Sequence, residues 1–423
     1  MGKRTWAIKN EHFYLSFRPK DTRTWFQRDI DQITHSIAFR KLQYKSQLLS
    51  EADPISRSRL IHTIEASRIA TEISGRLHLN KELTEAIMLG HDIASSPYGF
   101  VGNNFLKEKV PNFNHELGGA IMLQTLSREK LPRDHEKRPE ILDIIEKNSS
   151  EAPFYSAQIP SEFFETSYPL YASIKRKEDD NGDDDIYIYA IAPCVVDGVL
   201  CHGDGYKKTP ETLEGQVVKF ADNIAYITQD IDDLLRADIM SKDELEKIGL
   251  PSVFEWDKID NGYNDEQKLK NIFKNSRGKR IAALIERYVK YNKKLLDDTS
   301  PSSGKMPVLA CDEGLQKVID KFWSFIKEHY VKPHIEISNS LQIEKLKQLW
   351  KILEENEEKI KPYNDFIDNC CLDTRFSQYK KEPGWLCAYF ISHLSWYEVD
   401  LIIDSYHRRD YSFTLDIDID GVQ

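Results

Sequence analysis

Residues 59–77 read RLIHTIEASRIATEISGRL, and residues 85–93 read EAIMLGHDI. In the first stretch Leu60, Ile64, Ile69, Ile73 and Leu77 recur at the i, i+3, i+4 spacing that gathers apolar side chains on one helix face. The second predicts a shorter helix over 81–91 that closes on Gly90-His91-Asp92. Each carries a metal-binding type of side chain, His62 within the first and His91-Asp92 at the end of the second. Helical periodicity extends in both directions. Positions 27–45 (QRDIDQITHSIAFRKLQYK) set Ile30, Ile33, Ile37, Leu42 and Tyr44 roughly on one face. Further helices are expected near 115–128, 138–148, 212–236, 263–297, 312–330, 340–360 and 384–407. The chain therefore reads as all-α. Ile186-Tyr187-Ile188-Tyr189 alternates as a strand does, and equally suits the start of a helix leading to Asp197.

Two soft segments divide this pattern. The run 176–185 (RKEDDNGDDD) is acidic and polar, the composition of a loop, and marks the tip of an insertion placed at about 168–190. The run 298–306 (DTSPSSGKM) combines Pro, Ser and Gly. The expected organisation is a core over 1–240 and a helical C-terminal part, 241–423, packing on it. At 423 residues the chain exceeds what one hydrophobic core usually fills. Its 40% hydrophobic and 30% charged residues are ordinary for a globular protein.

Composition narrows the function classes. No apolar run approaches the roughly 20 residues that span a bilayer, so no membrane role is expected. The first residues, MGKRTWAIKNEHF, lack the apolar segment of a secretion signal, which points to the cytoplasm. The six cysteines (Cys194, Cys201, Cys311, Cys370, Cys371 and Cys387) show no metal-ligand spacing and read as reduced thiols. A net charge of -11 argues against broad nucleic-acid binding, although Lys and Arg are concentrated between Lys3 and Arg59.

The chemistry-bearing set is His62, His91, Asp92 and Asp222. Two imidazoles with two carboxylates suit a divalent first-row ion better than Ca²⁺, because mixed nitrogen and oxygen ligation fits Mn, Fe, Co, Ni or Zn. Taken singly, each residue also suits a satisfied core histidine or a helix-capping aspartate. The surrounding words decide otherwise. Phe39-Arg40-Lys41-Leu42-Gln43-Tyr44-Lys45-Ser46-Gln47 resembles the FRRLQxKTQ segment of the deoxyguanosine triphosphate triphosphohydrolases, a family of HD-domain phosphohydrolases. Arg57-Ser58-Arg59-Leu60-Ile61-His62-Thr63-Ile64-Glu65 resembles their RxRLxHTxEV, and Glu85 to Ile93 their EAIxLGHDL. Phe113-Asn114-His115-Glu116 is similar to the next word. Thr212 to Val218 and Ala221 to Tyr226 resemble SLEGQVVxxADDIAY. The words keep family order from about residue 23 to 235.

That resemblance implies a helical HD fold and one divalent ion (Mn, Mg, Fe, Co, Ni or Zn) held by His62, His91, Asp92 and Asp222. It implies a deoxynucleoside triphosphate substrate, attacked by water at the α-phosphorus to release deoxynucleoside and tripolyphosphate. Arg59 lies three residues before His62, on the same helical face, and suits the phosphates. Asp222, Tyr226 and Asp230 are spaced i, i+4, i+8 and share a face too. The resemblance assigns Tyr226 and Asp230, with Gln47, to the sugar and its 3′-hydroxyl. It further implies a homo-oligomer, a tetramer or hexamer, with deoxynucleotides also acting as effectors.

The pattern breaks after the HD pair. The family continues as HDLGHxPFGHxGE, whereas Ser95 and Phe100 here replace two histidines and Asn103 an acidic residue. Phenylalanine transfers no proton and asparagine is no carboxylate base. His115 is the surviving candidate for proton transfer. His202 reads as a structural imidazole. Two functions from different classes follow: a divergent triphosphohydrolase, weak or in need of an activator, and a nucleotide-binding regulator or sensor subunit. A nuclease or single-stranded nucleic-acid binder is a third and weaker reading, since no basic-aromatic stripe is present.

Overall fold

The computed structural model describes residues 22–48, 57–126, 128–130, 154–159, 170–175, 185–189, 191–238, 240–249, 266–299, 306–331, 340–361 and 382–408, with isolated positions at 134, 138–140 and 143. Helices dominate. In chain order they begin with α1 (Trp25–His35), α2 (Ile37–Lys41), α3 (Arg59–Arg76), α4 (Lys81–Gly90), α5 (Gly99–Lys109) and α6 (His115–Leu126). Four short strands intervene: β1 (Arg128–Lys130), β2 (Phe154–Ile159), β3 (Leu170–Lys175) and β4 (Asp185–Tyr189). Then come α7 (Pro193–Leu200), α8 (Leu213–Ala225), α9 (Ile231–Arg236), α10 (Lys242–Ile248), α11 (Glu266–Asp298), α12 (Glu313–Phe325), α13 (Ser340–Glu355), α14 (Trp385–His393) and α15 (Trp396–His407). The chain is all-α at its centre, as its periodicity implies.

The alternating Ile186-Tyr187-Ile188-Tyr189 is a strand, which closes the ambiguity left by sequence. It pairs on both sides within one antiparallel sheet of order β1-β4-β3-β2, in register Glu129 to Ile188 and Ala172 to Ile188. The sheet sits between α6 and α7 in the sequence. The helix expected over 115–128 stops at Leu126, where the chain turns into β1. The helix expected over 138–148, the tip 176–184, the segment 300–305 and the pair Cys370-Cys371 lie outside the described residues, entirely or for the most part. Among the described residues Cys194, Cys201, Cys311 and Cys387 form no disulfide.

The core is built around α3, which packs most extensively on α4 and α8. Ala66, Ile69, Ala70 and Ile73 of α3 meet Leu83, Ala86 and Ile87 of α4 and Val217, Val218 and Ala221 of α8 in one buried cluster. Each helix begins where a side-chain oxygen takes an otherwise orphaned backbone N–H. Ser58 caps α3 through Ile61 N, Asn80 caps α4 through Leu83 N, and Thr212 caps α8 through Gly215 N. These caps fix where the helices start, and hence which turn carries His62, His91 and Asp222.

The helix expected over 212–236 is interrupted. Residues Tyr226–Asp230 form a π-helical turn between α8 and α9. One wide turn of this kind inserts a residue without breaking the helix. The C-terminal helices return to the core: α11 packs on α3, α13 on α5 and α14 on α6. Phe220 of α8 stacks on Tyr288 of α11, with ring centroids 3.7 Å apart. An ionic cluster adds to this, in which Asp232 accepts from both Arg277 and Arg280 while Arg57 donates to Asp233.

Candidate metal centre

Three helices deliver the four residues of the site. His62 comes from the first turn of α3, His91 and Asp92 from the end of α4, and Asp222 from the last turn of α8. All four meet. His62 Nε2 lies 3.0 Å from Asp222 Oδ1 and 4.0 Å from Asp92 Oδ2. His91 Nε2 lies 3.2 Å from Asp92 Oδ2 and 3.7 Å from Asp222 Oδ1. Donors held by one first-row ion at roughly 2.1 Å stand at most about 4.2 Å apart, and these four of the six donor pairs satisfy that limit. His62, His91 and Asp92 form one group with all ligand atoms within 4.8 Å of one another, and Asp222 groups with His91 and His202.

The hydrogen bonds around the imidazoles leave the right atoms bare. His91 Nδ1 donates to the Met88 carbonyl at 2.7 Å, which fixes the tautomer and leaves Nε2 as a lone-pair donor. That Nε2 is buried with no hydrogen-bond partner, an orphan that a metal ion would satisfy. His62 Nδ1 lies 2.9 Å from Gln229 Oε1 and donates to it, so its Nε2 likewise faces the carboxylates.

The electrostatics also call for a cation. Burial pushes the Asp92 carboxyl up, but Arg59 and His91 beside it outweigh burial and hold it well below the usual range. Asp222 is held low in the same way, burial being outweighed by the hydrogen bond with His62 and by the nearby His91 imidazole. His91 responds in the opposite sense: despite burial, Asp92 and Asp222 raise its imidazole to about 10. Two ionised carboxylates thus draw a proton onto an imidazole where a divalent ion would balance them.

Arg59 is 2% exposed. It donates to Asp92 Oδ2 at 2.8 Å and to the Tyr226 hydroxyl at 2.9 Å, and its guanidinium lies 5.7 Å from the centre of the Phe100 ring. Burial disfavours its charge, but Asp92 and Tyr226 more than restore it. Tyr226 packs against His62 at 4.8 Å between centroids and meets Trp323 edge-on, also at 4.8 Å. Gln47 and Asp230 are each 1% exposed, and both amide atoms of Gln47 and Oδ1 of Asp230 lack hydrogen-bond partners. Burial, with Asp233 nearby, drives the Asp230 carboxyl well above its ordinary range. Buried polar atoms left without partners, as in Gln47 and Asp230, are costly.

The three replaced positions have acquired structural partners. Ser95 Oγ donates to Asp92 Oδ1 at 2.7 Å, and Asn103 Oδ1 accepts from Ser96 N at 3.1 Å. Phe100 lies among Arg59, Tyr226 and Trp323. His115 Nε2 stands 3.7 Å from Asp92 Oδ1, with its Nδ1 3.2 Å from Glu116 Oε2.

Sequence reasoning passed over several contributors. Gln229 orients His62 from two turns beyond Asp222, a spacing that was visible. Trp323 arrives from α12 and donates to Asn223 Oδ1 at 2.9 Å. Lys45 is buried, and its ammonium donates to the carbonyls of Ile93, Ser95 and Ser392, pinning the turn after the HD pair. Only its place within a family-like word marked it. His202 also lies at the site. Its ring meets His91 at 5.0 Å and His115 at 5.3 Å, and burial together with His91 and His115 lowers it to about 4.

Comparison with known proteins agrees with this geometry. The HD domain family model matches residues 59–227, from Arg59 through the turn that holds Tyr226. A deoxyguanosinetriphosphate triphosphohydrolase-like protein of Caldanaerobacter subterraneus subsp. tengcongensis is 34% identical over 228 residues, covering 54% of this chain and 50% of that protein. Proteins of the same name from Clostridium perfringens and Desulfatibacillum aliphaticivorans are 31% and 30% identical over 233 and 237 residues, 54% of this chain and 52% of theirs. The chain spans about half the length of the curated relatives it matches. Among the described residues no helix is long and apolar enough to cross a membrane. Residues 59–227 therefore match the HD domain family, in a chain that is similar over about half its length to deoxyguanosinetriphosphate triphosphohydrolase-like proteins.

Proposed function

We propose that this protein hydrolyses deoxynucleoside triphosphates to deoxynucleoside and tripolyphosphate at a centre of one divalent ion held by His62, His91, Asp92 and Asp222. The observation that carries the reading is the close approach of those four donors, with a buried His91 Nε2 that has no hydrogen-bond partner; Gln47 and Asp230 likewise keep buried polar atoms without hydrogen-bond partners. The ion, when bound, would act as a Lewis acid on the α-phosphate. Arg59 stands next to it as fixed positive charge for the phosphates, shared with Asp92. Tyr226 offers the deoxyribose a flat face, and the amide of Gln47 with the carboxyl of Asp230 offers a donor and acceptors for its 3′-hydroxyl. His115, partly exposed beside Glu116, would give the departing 5′-oxygen its proton. Assembly into a homo-oligomer, with deoxynucleotides as effectors, a cytoplasmic location and reduced thiols all belong to this reading.

A second reading has its own observation. Ser95 and Asn103 are committed to hydrogen bonds with Asp92 and Ser96 N, and Phe100 to aromatic packing, so three positions expected to serve the reaction serve the scaffold. A protein built this way binds nucleotide as a regulator or sensor subunit and turns it over slowly. One assay separates the two. Purified protein is incubated with each deoxynucleotide and Mn²⁺ or Mg²⁺, alone and in mixtures, and tripolyphosphate is measured. Turnover that vanishes in His91→Ala and Asp222→Ala is the expected result. Saturable binding with no tripolyphosphate under any mixture selects the regulator.

A further inference from the structure

Beside His115 lies a buried carboxylate, Glu116, in the first turn of α6 and 3% exposed. Asn114 fixes where that helix begins by accepting from Leu117 N at 2.7 Å. The stretch between α7 and α8 closes over the carboxylate from the other side. Gly205 N donates to Glu116 Oε1 at 3.0 Å. A Cβ on Gly203 would collide with that same Oε1, and one on Gly205 would lie 2.6 Å from Oε2. The two glycines of Gly203-Asp204-Gly205 therefore admit the main chain where a larger residue would push the carboxylate aside.

These contacts leave one oxygen over. Oε2 has no hydrogen-bond partner, and it lies 3.2 Å from His115 Nδ1. The other nitrogen of that ring, Nε2, stands 3.7 Å from Asp92 Oδ1. His202 meets the ring edge-on at 5.3 Å between centroids and supports it on a second side. Burial would push the Glu116 carboxyl up, but His115 and main-chain N–H groups outweigh it and hold the group below its ordinary value. A residue that only tied down the loop would need one oxygen, and a buried second oxygen without a partner is costly. We propose that Glu116 is a positioning residue for His115: Oε2 holds Nδ1 and keeps Nε2 turned toward the leaving group, while Gly203 and Gly205 hold Glu116. This rests on the reading of His115 as proton donor given above. With Phe100 and Asn103 committed to the scaffold, proton transfer falls to one imidazole, so its orientation sets the rate. Such contacts often stand long in the free protein and tighten once substrate is bound.

The test is steady-state kinetics of the full chain with Mn²⁺ and each deoxynucleotide, measuring tripolyphosphate, alongside thermal unfolding. Glu116→Gln keeps the size and an oxygen for Gly205 N, but it removes the charge and leaves an amide N–H facing Nδ1. We expect kcat to fall about 10- to 100-fold, KM to change by less than about threefold, and Tm to hold. Gly203→Ala displaces the same carboxylate without removing its charge. It should lower kcat too, and it serves as the second variant should the glutamine fail to fold. The decisive comparison is made in a His115→Gln background. There Glu116→Gln should cost less than about a further threefold, because residues that act as one unit are not additive. Equal losses in both backgrounds, or a wild-type kcat in Glu116→Gln, overturn the inference and leave the hydrolase reading standing. Wild-type turnover that His115→Gln fails to slow removes the proton-donor role, and Glu116 with it. A wild-type protein that releases no tripolyphosphate sinks the hydrolase reading and the inference together.

Discussion

His393 is buried at the end of α14, with Nδ1 donating to the Tyr389 carbonyl at 2.9 Å and Nε2 without a hydrogen-bond partner. Burial, with Lys41 and Lys45 nearby, lowers its imidazole to about 3, against an ordinary value of about 6.5. Between those values the unfolded chain binds a proton that the folded one refuses. Stability contributed by the neutral form is therefore complete above pH 6.5 and is lost as pH falls toward 3. At pH 5 the loss is on the order of 2 kcal/mol, from about 1.5 pH units at 1.36 kcal/mol each. Urea unfolding at pH 7 and pH 5 checks this: His393→Leu should flatten the difference by about that amount. An undiminished pH dependence in the variant would show that the imidazole is already protonated in the fold. The same reasoning explains what single residues disclosed in advance. That His62, His91, Asp92 and Asp222 come close together was legible, because their residue types and the words around them suit a common metal chemistry. Lys45 and His202 were not, because a buried cation on three carbonyls and a buried imidazole acquire their roles only from partners distant in sequence.

Among the elements, the turn between α4 and α5 bears the most constraint. Ser46 N donates to the Pro97 carbonyl, and Gly99 opens α5 with φ of +54°, in the left-handed region that favours glycine. A Cβ there would lie 2.6 Å from the Ser46 carbonyl oxygen and 3.0 Å from that of Gln47, both main-chain atoms that cannot step aside. Gly99→Ala should cost about 1–3 kcal/mol, from backbone strain together with the clash. Gly278, exposed within α11, has nothing within 4 Å of its would-be Cβ. Gly278→Ala should instead gain up to about 1 kcal/mol through helix propensity. Denaturant melts of the pair check both signs, and a Gly99→Ala protein as stable as wild type would show that this turn relaxes freely. At this scale periodicity was a sound guide to α3 and α4, whose apolar faces run unbroken. It failed at 226–230, where a π turn keeps the apolar spacing close to that of an α-helix while changing the hydrogen-bond pattern, and it could not resolve Ile186–Tyr189, too short to distinguish period 2 from the start of a helix.

Across the whole molecule the C-terminal helices do more than cover the core, because one of them reaches the residues around Asp222. Trp323 of α12 is tied to Asn223, the neighbour of Asp222, and its ring meets both Tyr226 and Phe100. The indole and the phenyl ring of Phe100 thus set apolar surface against Tyr226, close to the charged groups around Arg59. No periodicity announced this, since Trp323 lies some hundred residues beyond Asp222 and its part of the chain offers no family-like word. Removing the indole should free Tyr226, which otherwise packs between His62 and Trp323 and is the face proposed for the sugar. Trp323→Ala is expected to weaken deoxynucleoside triphosphate binding by roughly tenfold, the order of 1.4 kcal/mol that one lost aromatic contact supplies. Metal content should stay at the wild-type level, because the indole packs on Tyr226 and Phe100 and bonds Asn223 rather than the four donors, and His62 remains oriented by Gln229. Calorimetric titration with nucleotide and elemental analysis of the same sample read the two quantities separately. Weakened nucleotide binding with full metal content places the C-terminal helices in the pocket. Unchanged nucleotide affinity would mean that the substrate never reaches the Tyr226–Trp323 face, and the sugar site would then have to be sought elsewhere around the ion.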